Sequence, residues 1–321
     1  MRSLLSPAAL GAEAERTYNI GDIEDCTLLR SLTNDVYEVS AAGGRYVLKV
    51  YGHGWRSAEE VGWEVDLIAH LSRKGLAVEP AVVRADGSYV GTLAAPEGDR
   101  PVALFGFAEG AKPSAPSSPL YYEFGRFVGR MHTASADYSS THPRVAFDVA
   151  GSVEDSLQAV LPLLSEREDR EFVASLLNRA HERVAELASA GLSWGVCHGD
   201  VTLDNLNVTG DGRIVLYDFD SAGPGWQAGD LYGVATWRIH GEPKYWDAFL
   251  SGYQETGELT PAGLEALPWF VPIHELDNVR WHLTDWLRLR GSHSLDNGYL
   301  TAQIAALRRW QAEVLTPNAA P

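Results

Sequence analysis

Cysteine is nearly missing from this chain of 321 residues: Cys26 and Cys197 are the only two, and no Cys-x-x-Cys pair occurs. A disulfide scaffold and a thiolate zinc site are thereby excluded, and a reducing compartment is indicated. The 10 histidines never take the His-x₃-His spacing of a helical zinc site, which argues against a catalytic zinc. Positive charge is scarce: 26 Lys and Arg stand against 43 Asp and Glu, a net charge of −17 that is spread along the chain. Such a surface repels phosphate backbones and anionic lipid, so neither nucleic acid nor a membrane is expected as a partner. No apolar run approaches the roughly 18 residues of a membrane span. Residues 1–17 hold a short apolar stretch, soon broken by Glu13 and Glu15 with no cleavage site. They read as a frayed tail and not a signal peptide, and the expected location is cytoplasmic.

Apolar matter, in contrast, is plentiful. Hydrophobic residues make up 45%, with 10 Trp, 13 Tyr and 9 Phe, enough for one large or two modest domains. The first hundred residues read mostly as strands, at 26–32, 35–40 and 45–51, the last two flanking the tight-turn pair Gly43-Gly44. Ser57-Ala-Glu-Glu60 has capping-box spacing and opens a helix that stops at Gly75. Short strands are expected at 81–84 and 89–94, and a buried one at 102–107. Residues 110–119, with three prolines and three serines, form a connector. Beyond it apolar residues recur at helical spacing over 120–134, 153–164, 169–190, 245–253 and 300–315. The stretch 195–220 interrupts them with a loop, a strand at 206–209, a turn at Asp211-Gly212 and a strand at 214–217. The layout is α+β: a small β-rich lobe, a connector, and a larger helical lobe with one hairpin.

The informative stretch is His198-Gly-Asp200-Val-Thr-Leu-Asp-Asn205, followed by Ile214-Val-Leu-Tyr-Asp218-Phe-Asp220. Phosphoryl transfer needs a carboxylate to take or orient the hydroxyl proton, and oxygen ligands that hold Mg²⁺ against nucleotide phosphates. Asp200 and Asn205, on one curled loop, suit both jobs. The turn at Asp211-Gly212 would return Asp218 beside Asn205. Upstream, Lys49 is in phase with Val47 on its strand. Glu64 shares a helix face with Val61, Val65 and Ile68, and a carboxylate on an apolar face wants a cation. Lys49 is the expected partner, with Glu60, one turn earlier, as the alternative glutamate.

These residues resemble the aminoglycoside phosphotransferase/choline kinase family, relatives of protein kinases, over roughly Tyr18 to Trp286 in order of elements. The family's His-Gly-Asp-x₄-Asn motif is complete at 198–205, and its Asp-Phe-Asp/Glu segment stands at 218–220. The resemblance implies a bilobal protein-kinase-like fold: a small antiparallel N-lobe with one helix over 18–107, which binds nucleotide, a connector over 108–119, and a mostly helical C-lobe over 120–321. It implies Asp200 as catalytic base, His198 in support, Asn205 and Asp218 as Mg²⁺ ligands, and Asp230 hydrogen-bonded back to the catalytic loop. Lys49 would hold the α- and β-phosphates and pair with Glu64. The donor is ATP, with GTP an equal candidate on sequence. The kinase loop Gly-x-Gly-x-x-Gly is lacking; Ser31-Leu-Thr-Asn34 stands there, and Ser31, Thr33 and adjacent amides are expected at phosphate. Phe105 and Phe107 would line the adenine slot. Gly125-x₃-Gly129-x-Met-His132 matches a family signature and reads as structural.

For the acceptor, 268–289 mixes aromatic and acidic residues: Trp269, His274, Glu275, Asp277, Arg280, Trp281 and Asp285 are the candidates, together with Asp220. Such a mixture suits a small hydroxyl compound bearing an amine, such as an aminoglycoside, amino sugar or amino alcohol. Arg280 would instead suit an amino acid's carboxylate, and the 218–230 segment resembles homoserine kinase-like, hydroxylysine kinase-like and stress-response kinases. A protein Ser/Thr kinase is the competing reading, weakened by the short Asp218–Asp230 gap. A nucleotide-binding pseudokinase is weakened by the presence of Lys49, Asp200, Asn205 and Asp218.

Overall fold

A computed structural model describes residues 3–236, 242–285 and 297–315. In chain order these form α1 (Pro7–Thr17), β1 (Ile23–Ser31), β2 (Asp35–Ala41), β3 (Gly44–Val50), α2 (Ala58–Arg73), β4 (Val90–Ala95) and β5 (Gly98–Gly106). There follow α3 (Ser118–Ala134), α4 (Val149–Val160), α5 (Arg167–Ser189), β6 (Trp194–Cys197), β7 (Leu206–Val208), β8 (Ile214–Leu216) and β9 (Gly223–Trp226). The chain closes with α6 (Tyr232–Ala235), α7 (Pro243–Thr256), α8 (Pro261–Leu283) and α9 (Asn297–Trp310). Two compact units emerge. One comprises 1–113, 137–144 and 204–220; the other comprises 114–136, 145–203 and 221–321.

The first unit is built on an antiparallel sheet of order β1-β2-β3-β5-β4. Alternation along its strands sends Tyr37, Val39, Leu48, Val50 and Leu104 to one face, where they pack with Leu10 and Ala14 of α1. Residues 7–17, expected as a frayed tail, are therefore a helix: Leu10 and Ala14 are buried against that face, and Pro7 starts it. Underneath lies a buried ion pair, Arg100 Nη2 to Asp35 Oδ2 at 2.7 Å. Arg100 also donates to the carbonyls of Tyr51 and Val50, so the charge is fully engaged. The capping box forms as expected: Ser57 Oγ accepts from the Glu60 amide, and Glu60 Oε2 accepts from the Ser57 amide at 2.9 Å. Residues 81–84, expected as a strand, make only isolated bridges, Ala81 with Phe105 and Arg84 with Tyr18. The hairpin β7–β8 belongs to this unit by its contacts.

The second unit packs α4, α5, α8 and α9 around Val160, Val173, Leu177, Phe270, Leu276 and Leu307. Against α3 lies α7, and glycine decides how closely. A Cβ on Gly125 would fall 2.0 Å from the Phe249 carbonyl oxygen, and one on Gly252 equally near that of Tyr122. The glycine pattern that precedes His132 is thus a helix-crossing device. Helix α8 begins at Pro261 behind a Thr260 N-cap and continues through Pro268 and Pro272. Strand β9, Gly-Pro-Gly-Trp, pairs with β6 and carries no strand signal in its sequence.

Candidate active site

The sheet unit holds the first group of functional residues. Cross-strand pairing sets Val36, Lys49 and Ala103 in one row, and Glu38, Val47 and Phe105 in the next, on the face opposite α1. Lys49 is 5% exposed there. Its Nζ lies 3.3 Å from Glu64 Oε1 and 2.8 Å from Asp218 Oδ1. Glu64, not Glu60, faces it; Glu60 caps its own helix and pairs with Arg56 at 3.5 Å. Tyr51 donates to the other Glu64 oxygen at 3.0 Å. Burial alone would lower the Lys49 pKa, but Asp218 and Glu64 carry it well above the usual value, so the ammonium stays charged. Burial pushes Glu64 up despite Lys49.

Asp218 follows β8 with φ 65°, the one non-glycine residue in the left-handed region among those described. Its second oxygen takes Arg30 Nη2 at 2.6 Å. Burial opposes its charge, but Lys49 and Arg30 hold the carboxyl far below the ordinary carboxylate range. The Tyr217 amide donates to the Asn205 carbonyl at 2.9 Å, which brings Asn205 beside Asp218 across the hairpin; Asn205 is 2% exposed. Among the described residues no three His, Cys, Asp or Glu side chains are grouped to hold a metal. What this unit offers is a neighbouring Asn and Asp, hard oxygen donors too few for a protein cage. That donor set fits a Mg²⁺ that takes most of its ligands from phosphate and water.

Asp220, expected at the acceptor, is buried inside the sheet unit instead. Its carboxylate accepts from Asn34 Nδ2 and from Trp55 Nε1 at 3.3 Å. Its carbonyl accepts from Arg56 and Arg144. Asn34 Oδ1 accepts in turn from the Gly52 amide at 3.1 Å, tying the β1–β2 turn to Asp220. Ser31 departs from expectation too: its hydroxyl donates to Asp35, on the α1 side of the sheet, away from Lys49. Thr33 sits half-buried in the turn closed by Leu32 N and Asn34 O. Phe105 is buried in the row beside Lys49, and Phe107, past the end of β5, lies under the Arg45 guanidinium at 3.7 Å. Glu79, half-buried, is pushed up to about 8 by burial and by Asp218. Arg30, Asn34, Trp55 and Glu79 escaped sequence reasoning. Only Asn34 carried a signal, as a turn residue.

The helical unit holds the second group. Asp230 accepts from two successive amides, His198 at 2.8 Å and Gly199 at 2.7 Å. It also meets His132 Nε2 at 2.9 Å, whose Nδ1 pairs with the Tyr253 hydroxyl at 2.8 Å. Burial disfavours the Asp230 charge, yet the His132 hydrogen bond and its imidazole lead a net shift below the usual value. Gly199 has φ +81°, and a Cβ there would strike the Ser221 carbonyl oxygen at 2.3 Å. The middle residue of His-Gly-Asp must therefore be glycine. His198 is fully buried, and its Nδ1 accepts from the Asp200 amide at 3.3 Å. The loop is thus clamped from behind while Asp200 stays half-exposed.

Of the acceptor candidates, His274 is stacked between Phe147 at 4.5 Å and Tyr232 at 4.3 Å. Burial lowers its pKa to about 4, so it is neutral near pH 7. Arg280 bridges Asp277 at 2.9 Å and Asp285 at 3.3 Å, and Ser152 donates to Asp277 at 3.0 Å. These three charges satisfy one another, so Arg280 is not the free cation a substrate carboxylate would need. Trp281 lies edge-on to His282 at 4.9 Å. Glu275, a further acceptor candidate, is raised by burial to about 7.

A sheet with a buried Lys–Glu pair, an Asp after a short hairpin and a clamped His-Gly-Asp loop define the class: an α+β protein of protein-kinase-like fold. The chain belongs to the phosphotransferase enzyme family, whose model matches residues 25–267. It is 28% identical over 284 residues to the homoserine kinase of Sinorhizobium medicae (strain WSM419), covering 84% of this chain and 82% of that one. It shares its fold with amicoumacin kinase hAmiN, solved in complex with AMP-PNP, Ca²⁺ and Ami: TM-score 0.76, 22% identity, 97% and 94% of the two chains covered. A microcompartment-associated aminopropanol kinase matches with TM-score 0.76, 22% identity, and 96% and 97% coverage. The protein is accordingly a kinase. Among the described residues no helix is long and apolar enough to cross a membrane.

Proposed function

We propose that this kinase transfers the γ-phosphoryl group of ATP, with Mg²⁺, to a hydroxyl of a small amine-bearing molecule, with Asp200 as the catalytic base. The observation that carries the reading is the double amide clamp of Asp230 on His198 and Gly199, which fixes the loop and leaves Asp200 outside it. Asp200 accepts the hydroxyl proton as the acceptor oxygen attacks phosphorus, and the bond from the γ-phosphorus to the β-phosphate oxygen breaks to release ADP. Lys49, held charged between Glu64 and Asp218, supplies fixed positive charge for the phosphates. Asn205 and Asp218 would hold Mg²⁺, which when bound would neutralise charge on the phosphates.

An amine suits the acceptor better than an amino acid, because Arg280 is already occupied by Asp277 and Asp285. The similarity to a homoserine kinase keeps an amino-acid acceptor as the second reading. A coupled ADP-release assay across amino alcohols, amino sugars, aminoglycosides, homoserine and a generic protein substrate separates the two. Amine turnover with none on homoserine supports the first, and the reverse result replaces it. On the acceptor found, Asp200→Asn lowers kcat by about 10²-fold or more while nucleotide affinity stays near wild type. Near-normal turnover in that variant removes Asp200 from the mechanism.

A further inference from the structure

Arg30 occupies a position that an unbroken β1 would not give it. Leu28 pairs with Tyr37 and Arg30 with Val36, so β1 advances two residues while β2 advances one. Leu29, 50% exposed, is the extra residue of this β-bulge. In a regular strand Leu28 and Arg30 would share a face. Here Leu28 packs on the α1 side with Tyr37. Arg30 is turned to the other side, in the row Arg30, Val36, Lys49, Ala103. Bulges re-aim side chains in this way, often beside functional sites.

The row thus carries two cations whose heads meet on Asp218, Lys49 at Oδ1 and Arg30 at Oδ2. They are anchored differently. Lys49 is buried and held by Glu64 as well. Arg30 is 42% exposed on its side chain, and among the described residues its ion-pair partner is Asp218 alone. A guanidinium and a divalent cation cannot share one carboxylate oxygen without repulsion, and a guanidinium fork suits phosphate oxygens well.

Resting on the kinase reading above, we propose that Arg30 binds the outer phosphates of the nucleotide, exchanging Asp218 for phosphate oxygen when a divalent cation takes that carboxylate. The bulge at Leu29 then performs for this chain part of what a glycine-rich loop performs elsewhere: it delivers a phosphate donor from the first strand.

Nucleotide titrations of the full chain, read by tryptophan fluorescence or calorimetry, test this with ATP, ADP and AMP, with and without Mg²⁺. Arg30→Ala weakens Mg-ATP by about tenfold, the worth of a charge-assisted hydrogen bond, and leaves AMP within about twofold. Arg30→Lys recovers part of the loss. Without Mg²⁺ the difference between wild type and Arg30→Ala shrinks, because Asp218 keeps the guanidinium. Equal ATP affinity in Arg30→Ala and wild type overturns the proposal. So does an equal loss for ATP and AMP, or a tenfold loss that persists without Mg²⁺. A wild-type chain that binds none of the three nucleotides overturns the kinase reading itself.

Discussion

One helical step separates Glu60 from Glu64, and the difference decides which carboxylate serves Lys49. Glu60 spends its carboxylate on the Ser57 amide at the start of α2, whereas Glu64 is 1% exposed with two donors, Lys49 and Tyr51. A charge so placed is tolerable only while paired, since removing one partner leaves the other buried and uncompensated. Lys49→Ala and Glu64→Ala should therefore each lose most of the nucleotide-dependent activity, and the double variant should lose little more. The coupling expected for contacting residues is about 0.5–3 kcal/mol in a double-mutant cycle. Additive losses would mean that the two act independently. Glu60→Ala, in contrast, should cost about 1 kcal/mol of stability through the cap and leave nucleotide affinity unchanged.

At the scale of elements, the loop before β7 is aimed by a residue 30 positions downstream of Asp200. Asp230 is 4% exposed and joins His198, Gly199 and His132. Its folded pKa lies below 3.8, so its stabilising contribution is present above pH 3.8 and is lost as pH falls through the lower folded value. Asp230→Ala should lower kcat by about 10²-fold with little change in nucleotide KM, because it misaligns His198–Asp200, whereas Lys49 and Asp218 belong to the sheet unit. It should also flatten the acid side of the stability–pH curve, which urea midpoints between about pH 2 and 5 would record. An unchanged kcat would reduce Asp230 to a packing residue. The Asp230 clamp was legible only through the family resemblance, whereas α2 through its capping box and the β2–β3 hairpin through Gly43-Gly44 announce themselves by local chemistry. The Lys49–Glu64 pair was legible because two periodicities, of strand and helix, pointed at one place. What stayed hidden depends on distant contacts: α1 has meaning only against a sheet face, β9 is a strand only because β6 pairs with it, and the bulge at Leu29 is a matter of register. The partners of Asp220 stayed hidden for the same reason, since no spacing rule links it to Asn34 and Trp55.

At the scale of the whole chain, each unit has a core of its own, one around Tyr37, Leu48 and Leu104, the other around Leu177, Phe270 and Leu276. The residues proposed to hold nucleotide and metal, Lys49, Asn205 and Asp218, all belong to the sheet unit, although Asn205 and Asp218 lie more than 150 residues beyond Lys49 in sequence. The loop 198–205 thus passes from one unit to the other between Asp200 and Asn205. A ligand that binds only folded protein stabilises it by about 2.7 kcal/mol at a hundred times its Kd. Mg²⁺ with a non-hydrolysable ATP analogue should therefore raise the melting temperature by about 5–10 °C. EDTA should remove most of that gain. Asp218→Ala and Asn205→Ala should lose the Mg²⁺-dependent part, whereas Asp200→Asn, which alters the chemical step, should keep it. Differential scanning calorimetry adds a second reading: if the two cores melt separately, the nucleotide should move the transition of the sheet unit. A shift of equal size in EDTA, or one that survives in Asp218→Ala, would place the metal away from Asn205 and Asp218.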